Sequence, residues 1–173
     1  MTLPSAHPEL PPLPILAARI AALLRARGQT VAVSESSAGG LASAALLAIP
    51  GASNYFLGGA VVYTWRAGKV LLGVTEADVK GMRPETEPYA AFVAARMRDQ
   101  LGATWGLGET GAAGPTGSRY GDAPDHVCVA VAGPAERVHT LETGLDDRPA
   151  NMELFARTLL QLFEEALLAQ PEG

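Results

Sequence analysis

The sequence predicts an α/β protein, a three-layer α/β/α sandwich with a mostly parallel sheet and an antiparallel edge strand. Helical periodicities alternate along the chain with short, fully apolar runs, the pattern of strands covered on both faces. Hydrophobic residues make up 48% of the 173 positions and charged ones 18%, enough apolar material for one sizeable core and too little charge for a disordered chain. The clearest strand, His126–Ala132 (HVCVAVA), is followed at once by Arg137–Glu142, which reads as its antiparallel neighbour. The length suits a single domain over residues 15–173, preceded by a proline-rich arm over residues 1–14.

The elements follow in order. Five prolines in residues 1–14 preclude a helix and suggest an extended arm. From Ile15 to Arg27, Leu16, Ile20, Leu23 and Leu24 recur at helical spacing before a stop at Gly28. Thr30–Ser34 is β-branched and apolar, a buried strand. Gly39 and Gly40 lead into a helix over Leu41–Ala48, and Phe56–Thr64 reads as a second strand whose glycines permit close approach. Trp65–Leu72 and Thr75–Val79 are expected to be short helices and Glu85–Leu101 a longer one. Thr104–Glu109 is a third strand, Gly111–Asp125 a turn-rich loop, and the last helix begins near Arg148–Pro149. Its apolar stripe is Met152, Phe155, Leu159, Leu162, Phe163 and Ala166.

Composition excludes several functions. Thirteen Lys+Arg against eighteen Asp+Glu leave a net charge of −5, which argues against direct nucleic-acid or membrane-surface binding but not against one local anion site. No apolar run is long enough to span a bilayer, and the N-terminus lacks the basic start of a signal peptide. One cysteine, Cys128, forms no internal disulfide and no cysteine-rich zinc site. A cytoplasmic protein without a metal or other cofactor is expected.

Three segments should gather at the carboxyl ends of the strands, where open α/β sheets bind ligands. The turn Ser34-Glu35-Ser36-Ser37-Ala38-Gly39-Gly40 could offer backbone N–H groups to a phosphate, with Ser36, Ser37, Gly39 and Gly40 as contacts; ordinary N-capping by Ser36 or Ser37 suits the same pattern. Gly51-Ala52-Ser53-Asn54-Tyr55-Phe56 places a serine in a turn, a nucleophile if a base stands near and a turn cap if none does. His126 and His139 are credible bases but lie in or beside strands, and the two lysines are Lys69 and Lys80. Gly111–Gly117 carries little side chain and could lie against a planar ligand or a phosphate through Gly114, Thr116 and Gly117. Glu109 at a strand end could accept bonds from an amide or a ribose, or be a solvated charge. Arg148 could meet an anion with two parallel bonds or pair with a neighbouring aspartate.

Taken together, these segments resemble the C-terminal domain of the CinA (competence/damage-inducible) family, whose characterised members include nicotinamide mononucleotide deamidases. Ser34–Gly40 is similar to the family's A-E-S-C-T-G-G, Pro50–Phe56 to P-G-S-S-x-Y-F, Gly58–Tyr63 to G-G-V-V-x-Y, Thr110–Gly117 to T-G-I-A-G-P-x-G, and Asp147-Arg148 to the final G-D-R. The similarity runs from about residue 15 to 168. By this resemblance the family's serine nucleophile falls on Ser53, its tyrosine on Tyr63, and its arginine near the last helix on Arg148. The family's lysine, five residues past the tyrosine, falls on Gly68; Lys69 follows and would point about 100° away on a helix. A second arginine is replaced by Met152, and Glu109 stands where the family is usually apolar.

The resemblance implies deamidation of nicotinamide mononucleotide to nicotinate mononucleotide and ammonia, with Ser53, Tyr63 and Lys69 catalytic. The alternatives are a nucleotide-binding module without turnover, because the base is missing, and an amidase for a different carboxamide selected by Glu109. A homo-oligomer is expected, with the proline-rich arm packing on a neighbouring subunit. The N-terminal hydrolase domain carried by many family members is expected to be absent, since fewer than twenty residues precede the first helix.

Overall fold

The computed structural model describes residues 9–171; residues 1–8 of the proline-rich arm lie outside them. The elements are α1 (Leu13–Arg27), β1 (Val31–Glu35), α2 (Leu41–Leu47), a 3₁₀ turn (Ala52–Asn54), β2 (Phe56–Val61), α3 (Trp65–Leu72), α4 (Glu87–Leu101), β3 (Trp105–Ala112), β4 (His126–Ala132), β5 (Arg137–Glu142) and α5 (Arg148–Ala169). Among the described residues one five-stranded sheet has the order β2-β1-β3-β4-β5. No described helix is long and apolar enough to cross a membrane.

The α/β sandwich is as expected; the strand directions need one correction. β1 pairs in parallel with β2 and β3, but β3–β4 and β4–β5 are both antiparallel, so the sheet is evenly mixed rather than mostly parallel. The connection from β3 to β4 holds no helix, and a helix-free return of this length lays the next strand antiparallel. β3 also runs to Ala112, three residues past its expected end, because Thr110, Gly111 and Ala112 pair with Cys128, Val127 and His126. Thr75–Val79 is a turn, not a helix: the Asp78 carboxylate accepts bonds from the Thr75 N–H and hydroxyl.

Strand alternation sorts the two layers. Val31, Val33, Trp105, Leu107, Val127, Val129 and Val131 face α1, α2 and α5. The Trp105 ring is fully buried, meets Phe163 edge-on at 5.6 Å, and donates from Nε1 to Gln29 Oε1 at 2.9 Å. The opposite face presents small residues, Cys128, Ala130 and Ala132, to Ala90 and Ala94 of α4. There Gly106 and Gly108 are demanded by contact: a Cβ on them would stand 2.0 Å from the Ala94 carbonyl oxygen and 2.2 Å from that of Ala90. Helix α4 therefore lies directly on the backbone of β3, and any side chain at 106 or 108 would push the layers apart.

Caps fix where the helices begin around the carboxyl edge. The Thr64 hydroxyl accepts from the Ala67 N–H at 3.1 Å to start α3, and the Asp147 carboxylate accepts from Ala150 N–H at 3.0 Å to start α5. Helix α4 starts at Glu87, two residues later than expected, because Glu85 takes a left-handed backbone conformation with φ 60°.

Candidate active site

Strands β1 and β2 end side by side, and the turn after β1 carries Ser36 and Ser37. Two buried carboxylates hold this turn. Glu109 on β3 accepts from the Ser36 N–H at 2.8 Å and the Ala38 N–H at 2.9 Å through Oε2, and from the Ser37 hydroxyl through Oε1. Glu35 at the end of β1 accepts from the N–H groups of Ala42 and Ser43, both at 2.9 Å, and from the Ser43 hydroxyl at 2.7 Å. Both glutamates are 1% exposed. Burial pushes the Glu109 carboxyl up to about 7; the bonds from Ser37, Ala38 and Ser36 oppose that shift, and the nearby Glu35 charge adds to it.

This arrangement corrects the phosphate reading of the turn. The N–H groups of Ser36 and Ala38 are taken by Glu109 and those of Ala42 and Ser43 by Glu35, and a phosphate brought against two buried carboxylates would be repelled. Gly39 and Gly40 serve the backbone instead, with φ of 68° and 94°. A Cβ on Gly39 would meet the Met152 methyl at 2.7 Å, and one on Gly40 would crowd Val61 at 3.3 Å. Glu109 itself is no solvated strand-end charge.

Beside the turn opens a cleft of about 250 Å³ lined by Ser36, Ser37, Tyr63, Gly114, Thr116 and Arg148. Arg148, the first residue of α5, donates to the Gly114 carbonyl at 2.6 Å and to the Tyr63 hydroxyl at 3.0 Å. The guanidinium thus ties the ends of β2 and of the glycine loop to the helix, and no aspartate pairs with it among the described residues. Gly117 and the exposed Arg119 continue the wall. A smaller recess of about 60 Å³ adjoins it, lined by Ser36, Val62, Glu85 and Glu109 among others.

Asn151 braces the backbone behind the cleft wall and Glu85 lines it; neither was singled out from the sequence. Asn151 is fully buried and donates to the carbonyls of Ala113 at 3.0 Å and Leu145 at 2.9 Å, while its own oxygen accepts from Thr143. A signal was available: Asn151 lies four residues before Phe155 on the apolar stripe, where a polar side chain must find buried partners. Glu85 lines both cavities. Burial raises its pKa, the Ser118 hydroxyl opposes the rise and Asp122 adds to it. No spacing rule marks a lone glutamate in a loop.

The expected catalytic set is not brought together. Tyr63 reaches the cleft, but Ser53 sits in the 3₁₀ turn before β2, at the amino end of the strand. Six residues of β2 separate it from the site, roughly 20 Å at the rise of a strand. The turn around Ser53 is built for shape: Gly51 has φ 81°, the buried Tyr55 hydroxyl donates to the Leu46 carbonyl, and Arg25 stacks over the Tyr55 ring at 5.4 Å. Lys69 is exposed on α3, lines neither cavity, and holds no ion pair or hydrogen bond among the described residues. Gly68 is the buried position of that helix turn, with Val62 Cγ1 3.8 Å from where its Cβ would be.

The comparisons agree with the fold and with the family. The family model "CinA C-terminal domain" matches residues 14–167. A CinA-like protein of Salinibacter ruber is 39% identical over 138 residues, covering 80% of this chain and 34% of that protein. One from Nostoc is 34% identical over 166 residues, covering 90% and 39% respectively. The chain therefore spans about a third of the length of these relatives. A competence/damage inducible protein, CihA, from Agrobacterium tumefaciens superposes with a TM-score of 0.82 at 27% identity, covering 97% of this chain and 99% of its own. The competence damage-inducible protein A of Klebsiella pneumoniae shares the fold, with a TM-score of 0.85 at 22% identity over 93% of this chain and all of its own. With a match from the first helix to the last, the chain belongs to the CinA C-terminal domain family.

Proposed function

We propose that this domain hydrolyses the carboxamide of nicotinamide mononucleotide, releasing nicotinate mononucleotide and ammonia, with a serine of the Ser36–Ser37 turn as nucleophile in place of Ser53. The observation that carries this reading is the Arg148 bridge. It sets a cation against Tyr63 and Gly114 at the edge of a cleft whose wall includes both serines. Family membership supports the substrate class, since the resemblance implies pyridine nucleotides.

The chemistry needs a hydroxyl, a proton acceptor and a place for negative charge. The serine oxygen bonds to the amide carbon; the C–N bond then breaks, and ammonia leaves with the serine's proton. Water hydrolyses the acyl-enzyme and restores the hydroxyl. Tyr63 accepts its bond from Arg148 through its oxygen, so its own O–H is free to donate to the oxyanion. Arg148 and the exposed Arg119 are the cations for the phosphate. The cleft is slightly smaller than pockets that enclose a whole drug-sized ligand, so part of the nucleotide would remain at the surface.

A second reading, binding without turnover, has a specific observation in its favour: glycine occupies the lysine position and Lys69 points elsewhere. One experiment separates the two. Purified protein is incubated with nicotinamide mononucleotide, and ammonia and nicotinate mononucleotide are quantified, with Arg148→Ala beside it. Turnover that falls by about 10- to 100-fold in Arg148→Ala, the loss expected for a charged hydrogen bond, supports hydrolysis at this cleft. A ligand-induced rise in melting temperature without product supports binding alone. Turnover indifferent to Arg148 rejects the cleft.

A further inference from the structure

A buried carboxylate meets a hydroxyl of the cleft wall in one contact. By the resemblance the family lysine falls on Gly68, and a buried carboxylate, Glu109, stands on β3. That carboxylate lies against a serine hydroxyl of the cleft wall, Ser37 Oγ, with Oε1 as the acceptor. Its other oxygen is fixed by two backbone N–H groups at 2.8 and 2.9 Å, so it cannot swing away. We propose that Glu109 is the proton acceptor of this site and Ser37 its nucleophile, a serine–carboxylate pair in place of the serine–lysine pair that the family resemblance implies.

The step balances without a further reactant. Ser37 Oγ bonds to the amide carbon while its proton passes to Glu109 Oε1. Glu109 returns that proton to the departing nitrogen as the C–N bond breaks, and ammonia leaves. Water then adds to the ester carbon, losing a proton to Glu109, and the Ser37 oxygen recovers it on release. A carboxylate of ordinary basicity would be a weak acceptor at neutral pH, but burial holds this one at about 7, where a general base works best. The groups around it come from each packed element. Glu35 faces it from β1, Glu85 and Tyr89 line the same recess from the segment entering α4, and Val129 stands opposite on β4 with no charge. Arg148 of α5 lines the adjoining cleft. The Glu35 charge favours the protonated form of Glu109, so the base is poised by a neighbour as well as by burial.

The pair rests on the proposed function for the acyl group alone, and its test uses a probe that needs no nucleotide. The full chain is treated with a small alkyl fluorophosphonate between pH 5 and 9, and the modified residue is located by peptide mass spectrometry. Turnover of nicotinamide mononucleotide is followed in parallel. Labelling at Ser37, with a rate that rises through a midpoint near pH 7 and drops at least about 100-fold in Glu109→Gln, is the expected result. Gln keeps acceptors for the backbone N–H groups, so circular dichroism of Glu109→Gln should match the parent; Glu109→Asp, one methylene shorter, should show intermediate labelling with the pH midpoint retained. Labelling at Ser37 without nucleotide turnover would sink the substrate and leave the pair standing. Turnover with Ser36 as the modified residue, or a labelling rate unchanged in a folded Glu109→Gln, would overturn the pair while leaving the substrate. No labelling and no turnover would overturn both.

Discussion

Two turns of this molecule look alike in sequence and differ in everything around them. The turn after β1 holds Ser36 and Ser37 before left-handed glycines; the turn before β2 holds Ser53 after left-handed Gly51. Around the first, two buried glutamates engage backbone N–H groups and hydroxyls, and a cleft with an arginine opens beside it. Around the second, an aromatic ring, its hydroxyl bond to Leu46 and a stacked arginine brace a corner. A serine among glycines is therefore not a site by itself. On the proposed reading, what separates a reactive turn from a structural one is a proton acceptor aimed at the hydroxyl and space for a substrate, and those come from other elements.

The largest expected effect is the pH dependence that the first turn imposes on stability. Glu109 is held at about 7 in the folded protein and returns to the ordinary carboxylate range, near 4.3, on unfolding. Its folded-state pKa is raised, so the folded form binds the extra proton between these values and stability falls as pH rises through them. The loss from pH 4 to 8 should approach about 3 kcal/mol at 1.36 kcal/mol per unit. Urea titrations of the parent and Glu109→Gln across that range should show this slope in the parent and its removal in the variant. A slope of equal size in both would mean that Glu109 is not the group.

A smaller effect belongs to the second turn. Tyr55→Phe deletes the hydroxyl bond to the Leu46 carbonyl and should cost about 1 kcal/mol in chemical denaturation, with turnover or labelling at the first turn unchanged. Loss of activity in this variant would couple the two ends of β2 and break the contrast between them. The smallest effect is expected at Ser53 itself, which is exposed and outside the cleft. Ser53→Ala should shift stability by under about 0.5 kcal/mol and leave turnover unchanged. Abolished turnover there would return the nucleophile to Ser53 and end the proposed assignment.

One variant sharpens the comparison from the family side. Gly68 is buried, and a Cβ there would meet Val62 Cγ1 at 3.8 Å, an ordinary contact; Val62 lines the same recess as Ser36. Gly68→Lys should therefore fold. A large rise in turnover would show that the parent lacks a working base. No rise, with Glu109→Gln inactive, would show that the carboxylate already fills that role.

Much of the fold was legible from local pattern. The alternation of Val127, Val129 and Val131 with Cys128, Ala130 and Ala132 announced a strand buried on both faces, and the structure sorts them to opposite layers. Gly28 closed α1, as its left-handed conformation requires. The direction of β4 was not legible, because periodicity marks a strand but not its partner. Of the site, Tyr63, Arg148 and the glycine loop were named from motifs, and the structure does bring them to one cleft. Ser53 was drawn to the chemistry by its motif, and the structure places it in the turn at the other end of β2; Glu85 and Asn151 carried no motif at all.

By itself the sequence determined the classes of its segments: which residues alternate, which glycines must turn the backbone, how much apolar surface exists to bury, and the order of motifs that places the chain in its family. These are properties of neighbours along the chain, governed by periodicity and backbone sterics. Tertiary structure decided which end of β2 faces the cleft, and that the N–H groups of Ser36, Ala38, Ala42 and Ser43 are held by Glu109 and Glu35. It also set the charge behaviour of Glu109, a carboxylate 73 residues past Ser36. Burial and proximity are pairings between distant residues, and desolvation acts on a group only after the rest of the chain has closed around it.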